Sequence, residues 1–200
     1  MEKKPFERYV KTALFLLAFV LIGPQMSIAD DAARYYEKGT NFLRDGNLNE
    51  AIAALTKAVA LRPGYAIAYN NRGLAYYKHD QYVKAAGDFL RAIQFNPNDE
   101  MPYNNVAIVF CKQGDYDKAL LYLDKAIALI KDIKPSHADV FNNLGFVYMK
   151  KGMHEESADA YNYASHIIQG KTADYSDDYD QITFDQRIEG HPVTAKFYGE

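Results

Sequence analysis

The chain has 200 residues, 48% of them hydrophobic and 24% charged, which is the balance of a folded protein and excludes a globally disordered one. Its formal net charge of -3 offers no basic excess to neutralise phosphates, so nucleic acid is not an expected partner. The single cysteine, Cys111, excludes an internal disulfide and a cysteine-built zinc site.

Residues 1–29 read as a targeting segment. Lys3, Lys4, Arg8 and Lys11 lead into an apolar run from Ala13 to Ile22, which Gly23 and Pro24 break. Ser27-Ile28-Ala29 then places small residues two apart, directly before Asp30 and Asp31. This is the layout of a secretory signal peptide, with cleavage expected after Ala29. The apolar core is about half of the ~20 residues a spanning helix needs, so a retained membrane anchor is the alternative and export the expectation. Localisation is thus read as periplasmic or secreted, and membrane contact is expected only if the segment stays uncleaved.

From residue 32 the chain repeats itself. Tyr69-Asn-Asn-Arg-Gly-Leu-Ala-Tyr76 returns as Tyr103-Asn-Asn-Val-Ala-Ile-Val-Phe110 and as Phe141-Asn-Asn-Leu-Gly-Phe-Val-Tyr148, with a weaker first copy at Tyr35-Tyr-Glu-Lys-Gly-Thr-Asn-Phe42. The offsets are 34, 34 and 38, the last carrying four extra residues around Lys131–Pro135. A second periodic segment follows each copy, beginning at Ala51, Ala85, Ala119 and Ser157. Apolar spacings of three and four make all of these helical. Gly46, Asp80, Gly114 and Gly152 fall in the gaps as turn residues, and Pro63, Pro97 and Pro135 separate the copies.

The run aromatic, Gly-x-x-aromatic, Ala-x-x-x-aromatic-or-Leu-x-x-Ala, then Pro at a period of 34 resembles the tetratricopeptide repeat. The second copy matches it best, through Tyr69, Gly73, Tyr76, Ala85, Phe89, Ala92 and Pro97. Departures are Lys38 and Arg72 at a usual Leu, Ala107 at a usual Gly, Ser157 at a usual Ala, and Gln169 in place of Pro. Long basic stems can still cover apolar surface at positions 38 and 72. The resemblance implies an all-α, right-handed α-solenoid of four helix-turn-helix repeats, over residues 32–65, 66–99, 100–137 and 138–170. It also implies a non-catalytic interaction scaffold, whose first helices line a concave groove for a protein or peptide ligand.

Carried over position by position, the groove displays Asn70, Asn71, Leu74, Tyr77 and Lys78 in the second copy. The third copy adds Met101, Asn104, Asn105, Ile108, Cys111 and Lys112, and the fourth Asp139, Asn142, Asn143, Phe146, Met149 and Lys150. An amide both donates and accepts, so Asn71, Asn105 and Asn143 are expected to grip an extended peptide main chain at every third residue. The competing reading gives Asn-Asn a role in stacking the repeats. Likewise Arg44, Lys78, Lys112 and Lys150 either attract acidic ligands or complement helix C-termini. The chaperone-carboxylate clamp of some family members does not transfer. Its positions fall on Tyr36, Thr40, Asn71, Met101 and Asn105, or one copy on at Asn70, Leu74, Asn105, Asp139 and Asn143, with no cation in either frame.

No catalytic residue, metal site or cofactor is expected, and no small-molecule substrate. Gly170-Lys171-Thr172 lacks the first glycine of a phosphate loop, since position 165 is Ser165. His154-Glu155 meets Ala158 where a zinc helix needs its second histidine. His79, His137, His166 and His191 are read as surface or capping residues, and Cys111 as packing. Residues 171–200 are acidic and tyrosine-rich, seven carboxylates facing three cations. Asp174, Ser176, Asp178 and Asp185 mimic some oxygens of a calcium loop, but Tyr179 stands at its essential glycine. Either this segment is a disordered tail, or Ile182, Phe184 and Ile188 cap Ala160, Tyr163 and Ile167 of the last helix.

Overall fold

The computed structural model of the chain describes residues 30–170, and every regular element in that range is helical. The targeting segment at 1–29 and the segment at 171–200 lie outside the described residues. Residues 30–44 form α1, followed by α2 (Leu48–Leu61), α3 (Ala66–Lys78), α4 (Tyr82–Phe95), α5 (Glu100–Gln113), α6 (Tyr116–Leu129), α7 (Ala138–Lys151) and α8 (His154–Ile168). Among the described residues no helix is long and apolar enough to cross a membrane.

The helices start and stop where their sequences dictate. Asp99 and Asp115 cap α5 and α6 by accepting from the backbone N–H groups of Met101 and Lys118, at 3.1 and 3.2 Å. Between the helices of each hairpin the chain turns through a left-handed residue, at Gly46, Asp80, Gly114 and Gly152, with φ of 78°, 58°, 76° and 78°. These are the four expected turn positions. The second helices α2 and α4 end two residues before Pro63 and Pro97. The four extra residues of the third interval let the chain leave α6 at Leu129 and re-enter through a short 3-10 turn, Pro135–His137.

Packing follows chain order. Each helix from α2 to α8 lies against its neighbours in sequence, and among the first helices α3 also touches α5 and α5 touches α7. Within a hairpin the contact is close: a Cβ added to Gly73 would sit 2.6 Å from the Phe89 ring, so only glycine admits that ring. The seam alanines Ala51, Ala85 and Ala119 are fully buried, and Ser157 replaces the fourth by donating its hydroxyl to the Gly145 carbonyl at 2.8 Å. The core is consequently a chain of clusters. Leu55, Val59 and Tyr69 lead to Phe89, Val106 and Val109, and then to Leu120, Leu123, Leu144, Val147 and Ile167.

Two expectations change here. Ala160, Tyr163 and Ile167 are not an exposed outer face; they are 0%, 6% and 1% exposed and pack on α7, with the Tyr163 ring edge-on to Phe141 at 4.6 Å. A cap therefore has no room on them. Arg72 does more than cover apolar surface with its stem. It reaches across to α4 and donates two hydrogen bonds to Asp88, at 2.6 and 2.8 Å, and a third to Thr56 of α2 at 3.2 Å. The guanidinium also lies over the rings of Tyr69 and Tyr76. Lys38 stays exposed, with its Nζ over Phe42.

Asp80 is the one described non-glycine residue in the left-handed region. Asp80→Gly should relieve part of a cost of about 1 kcal/mol and raise the melting temperature, whereas Gly114→Ala should lower stability by about 1–2 kcal/mol. Thermal unfolding of the two variants beside the parent chain reads both signs.

Candidate functional site

The first helices have four directions to fill. In α3, Gly73 and Tyr69 face α4, while Ala68 and Ala75 are fully buried in the direction of the preceding repeat. Asn70 turns toward the following repeat, and what remains clear is a strip of Ile67, Leu74 and Lys78. The same strip recurs as Met101, Ile108 and Lys112 on α5, and as Asp139, Phe146 and Lys150 on α7. Ile67 and Met101 are exposed, Leu74, Ile108 and Phe146 half-buried, and Lys78, Lys112 and Lys150 exposed with Arg44 in line. The Lys150 ammonium sits 5.4 Å from the Phe146 ring centroid.

The asparagines occupy a different place from the one the peptide reading gave them. Asn105 donates its amide N–H to the Asn70 side-chain carbonyl at 2.8 Å, and Asn143 donates to Asn104 at 2.9 Å. Asn71 makes the corresponding contact backwards, to the Tyr36 and Thr40 hydroxyls at 3.4 and 3.2 Å. These rungs join successive first helices at separations of 35, 35 and 39 residues. Asn70, Asn104 and Asn105 are buried, at 8%, 3% and 4% exposure, and Asn71 and Asn143 half-buried. The expectation that Asn71, Asn105 and Asn143 offer free amides to a ligand main chain is corrected on this point, because each amide N–H is already donated to a neighbouring first helix, and Asn105 is buried there as well. Asn142 is half-buried, and no later described first helix faces it.

Lys78, Lys112 and Lys150 do stand in the last turns of α3, α5 and α7, where a cation complements the helix carbonyls. Their ammonium groups form no ion pair among the described residues, so that role leaves them open to solvent. Tyr77 and Cys111 lie half-buried between neighbouring first helices; burial pushes the Cys111 thiol up to about 11 and raises Tyr77 as well. A thiol held that high is a packing group rather than a nucleophile.

The remaining histidine expectations place themselves simply. His137 is buried and accepts from the Lys134 backbone N–H at 3.1 Å through Nδ1, a capping role, with Nε2 3.4 Å from Glu100. It borders a recess of about 470 Å³ lined by Asn98 and Glu100 at the start of α5, by Ala128 and Leu129 at the end of α6, and by the connection that follows. His154 opens α8. Asp124, on α6, is a second-helix carboxyl that burial raises to about 6, away from the strip. No group of three or more metal-ligating side chains converges among the described residues.

The Arg72–Asp88 pair is the polar feature that sequence reasoning missed. Its signal was present: repeats three and four put Val106 and Leu144 where Arg72 stands, and Tyr122 and Ala160 where Asp88 stands. Only the second repeat carries opposite charges at both positions, since the first has Lys38 with Ala54 there, and two such charges in one hairpin call for each other.

Comparison with known proteins agrees with this geometry. The family model described as tetratricopeptide repeat matches residues 30–100, and a second model of the same description matches residues 99–165. A crystal structure of MamA is 27% identical, covering 72% of this chain and 82% of that one, at a TM-score of 0.62. MamA 41-end from Desulfovibrio magneticus RS-1 is 17% identical over 82% of this chain and 96% of its own, with a TM-score of 0.61. The first such domain of Spaghetti (RPAP3), solved bound to the HSP90 peptide SRMEEVD, is 20% identical over 62% and 95%, at 0.57. At their identities the last two speak for the fold alone.

Asp88→Ala should cost about 1–3 kcal/mol by leaving the half-buried Arg72 charge without its carboxylate, and a joint Arg72→Leu, Asp88→Leu exchange should recover most of it. Urea unfolding of the single and double variants measures the difference.

Proposed function

Because the chain belongs to the tetratricopeptide-repeat family, we propose that it is a non-catalytic scaffold that holds an extended segment of a partner protein along the strip of its first helices, after export and removal of residues 1–29. The observation that carries the reading is the strip itself. Three successive first helices, α3, α5 and α7, leave the same positions clear, with Leu74, Ile108 and Phe146 as an apolar row and Lys78, Lys112 and Lys150 as a cationic row beside it. Adjacent helices stand about 10 Å apart, so a ligand rising about 3.3 Å per residue meets each repeat at every third position.

The chemistry that fits is an extended segment carrying apolar side chains toward the first row and carboxylates toward the second. A main chain gripped by asparagine amides is not part of this proposal, since those amides bond one another. The Spaghetti domain holds a peptide on the same fold, and that peptide, SRMEEVD, is acidic toward its end. Export rests on the basic leader, the short apolar run and the small residues before Asp30.

A peptide-display library selected on the chain that begins at Asp30 tests the proposal. Acidic-apolar sequences should emerge, and Lys78→Glu with Lys112→Glu should weaken them about tenfold, or roughly 1.4 kcal/mol, with affinity falling steeply in salt. Selected peptides that bind the doubly reversed variant unchanged, or a selection that yields none, would count against it.

A further inference from the structure

The strip of the first helices is uniform along one edge and graded along the other. On the C-terminal edge Arg44, Lys78, Lys112 and Lys150 repeat the same exposed cation. A ligand held by that row alone could slide by one repeat, about three residues of extended chain, and meet the same partners. The N-terminal edge does not repeat. It runs Ala33, Ile67, Met101 and Asp139, and of these residues Asp139 alone is charged. Asp139 is exposed and forms no ion pair among the described residues. Lys150 lies about three turns further along the same face of α7, roughly 16 Å away along the axis, too far to neutralise it. An acid in the first turn complements the positive end of a helix, but that role does not require this position. In α5 it falls to Glu100, which turns toward His137 with Oε1 3.4 Å from Nε2, and α3 has no first-turn acid at all.

We propose that Asp139 sets the register of the ligand: the segment held along the first helices carries a lysine or arginine where it crosses the start of α7. This rests on the strip being a ligand surface and adds a specificity-determining residue to it. Over the two preceding helices the same edge of the ligand meets Ile67 and Met101, 46% and 37% exposed, and is apolar there. Slid by one repeat, the ligand's cation would leave the carboxylate for an apolar neighbour, and an apolar side chain would cover Asp139 and strip its water without replacing it. Turned over so that its edges exchange, the ligand would set its cation beside Lys150 and its carboxylates beside Asp139. Both misplacements are opposed by repulsion or lost solvation, so a single residue selects among alignments that the lysine row leaves equal. The ligand class is therefore amphoteric, with carboxylates toward the lysines, apolar side chains along the middle, and one cation at the fourth repeat.

The test is selection of a random peptide library on the full chain and, in parallel, on its Asp139→Lys and Asp139→Asn variants. Peptides from the unsubstituted chain should share one basic position, about three or six residues from the apolar ones. Those from Asp139→Lys should carry Asp or Glu at that position, and those from Asp139→Asn, which keeps the side-chain shape, should show no preference there. A selected peptide whose basic residue is replaced by Glu should bind the unsubstituted chain about tenfold more weakly and regain that factor on Asp139→Lys. A gained acidic preference is an outcome that a misfolded variant does not produce. Peptides that weaken on Lys78→Glu with Lys112→Glu, yet come out alike from all three chains, would overturn the register proposal and leave the scaffold standing. A selection that yields no peptide, or peptides indifferent to the lysine reversal, would overturn the scaffold and the register with it.

Discussion

The fold depends on one constraint: a helical hairpin of this sequence cannot bury its apolar residues alone. Each pair closes on itself through ring against glycine, as Phe89 does on Gly73, and then needs the next pair to cover Phe89 and its neighbours. Stability therefore accumulates between neighbours. The asparagine rungs add direction to that packing. Apolar contact alone would tolerate some sliding of α5 along α3, but a buried amide such as Asn105 that loses Asn70 is left unsatisfied, so the hydrogen bond fixes the slide.

That fixed slide also sets the geometry of the strip proposed to hold a ligand. The residues next to the rungs, Leu74, Ile108 and Phe146, are set in a row at a constant rise, and the lysines four residues further on form a second row. A ligand strip on a solenoid is only as regular as the stacking beneath it. In the proposed reading the asparagines support the ligand surface, and the residues beside them form it.

Much of this was legible in the sequence. The offsets of 34, 34 and 38 gave the hairpins, Gly46, Asp80, Gly114 and Gly152 their turns, and the extra residues near Pro135 the longer third connection. What the repeat does not encode is rotation about each helix relative to its neighbours. A period identifies Asn71, Asn105 and Asn143 as equivalent without saying whether they face a groove or the helix next door. The same ambiguity placed Ala160, Tyr163 and Ile167 on an outer face, when they point into their own hairpin. The Arg72–Asp88 pair escaped for the opposite reason. It occurs in one repeat only, and comparison between copies averages such a feature away.

The ladder is tested most directly by a double-mutant cycle on Asn70 and Asn105. If the two amides bond each other between α3 and α5, each alanine substitution alone should cost about 1–3 kcal/mol and the double variant clearly less than their sum, a coupling of about 1 kcal/mol or more. Strictly additive losses, or single variants as stable as the parent, would contradict the stacking role and return these asparagines to the ligand.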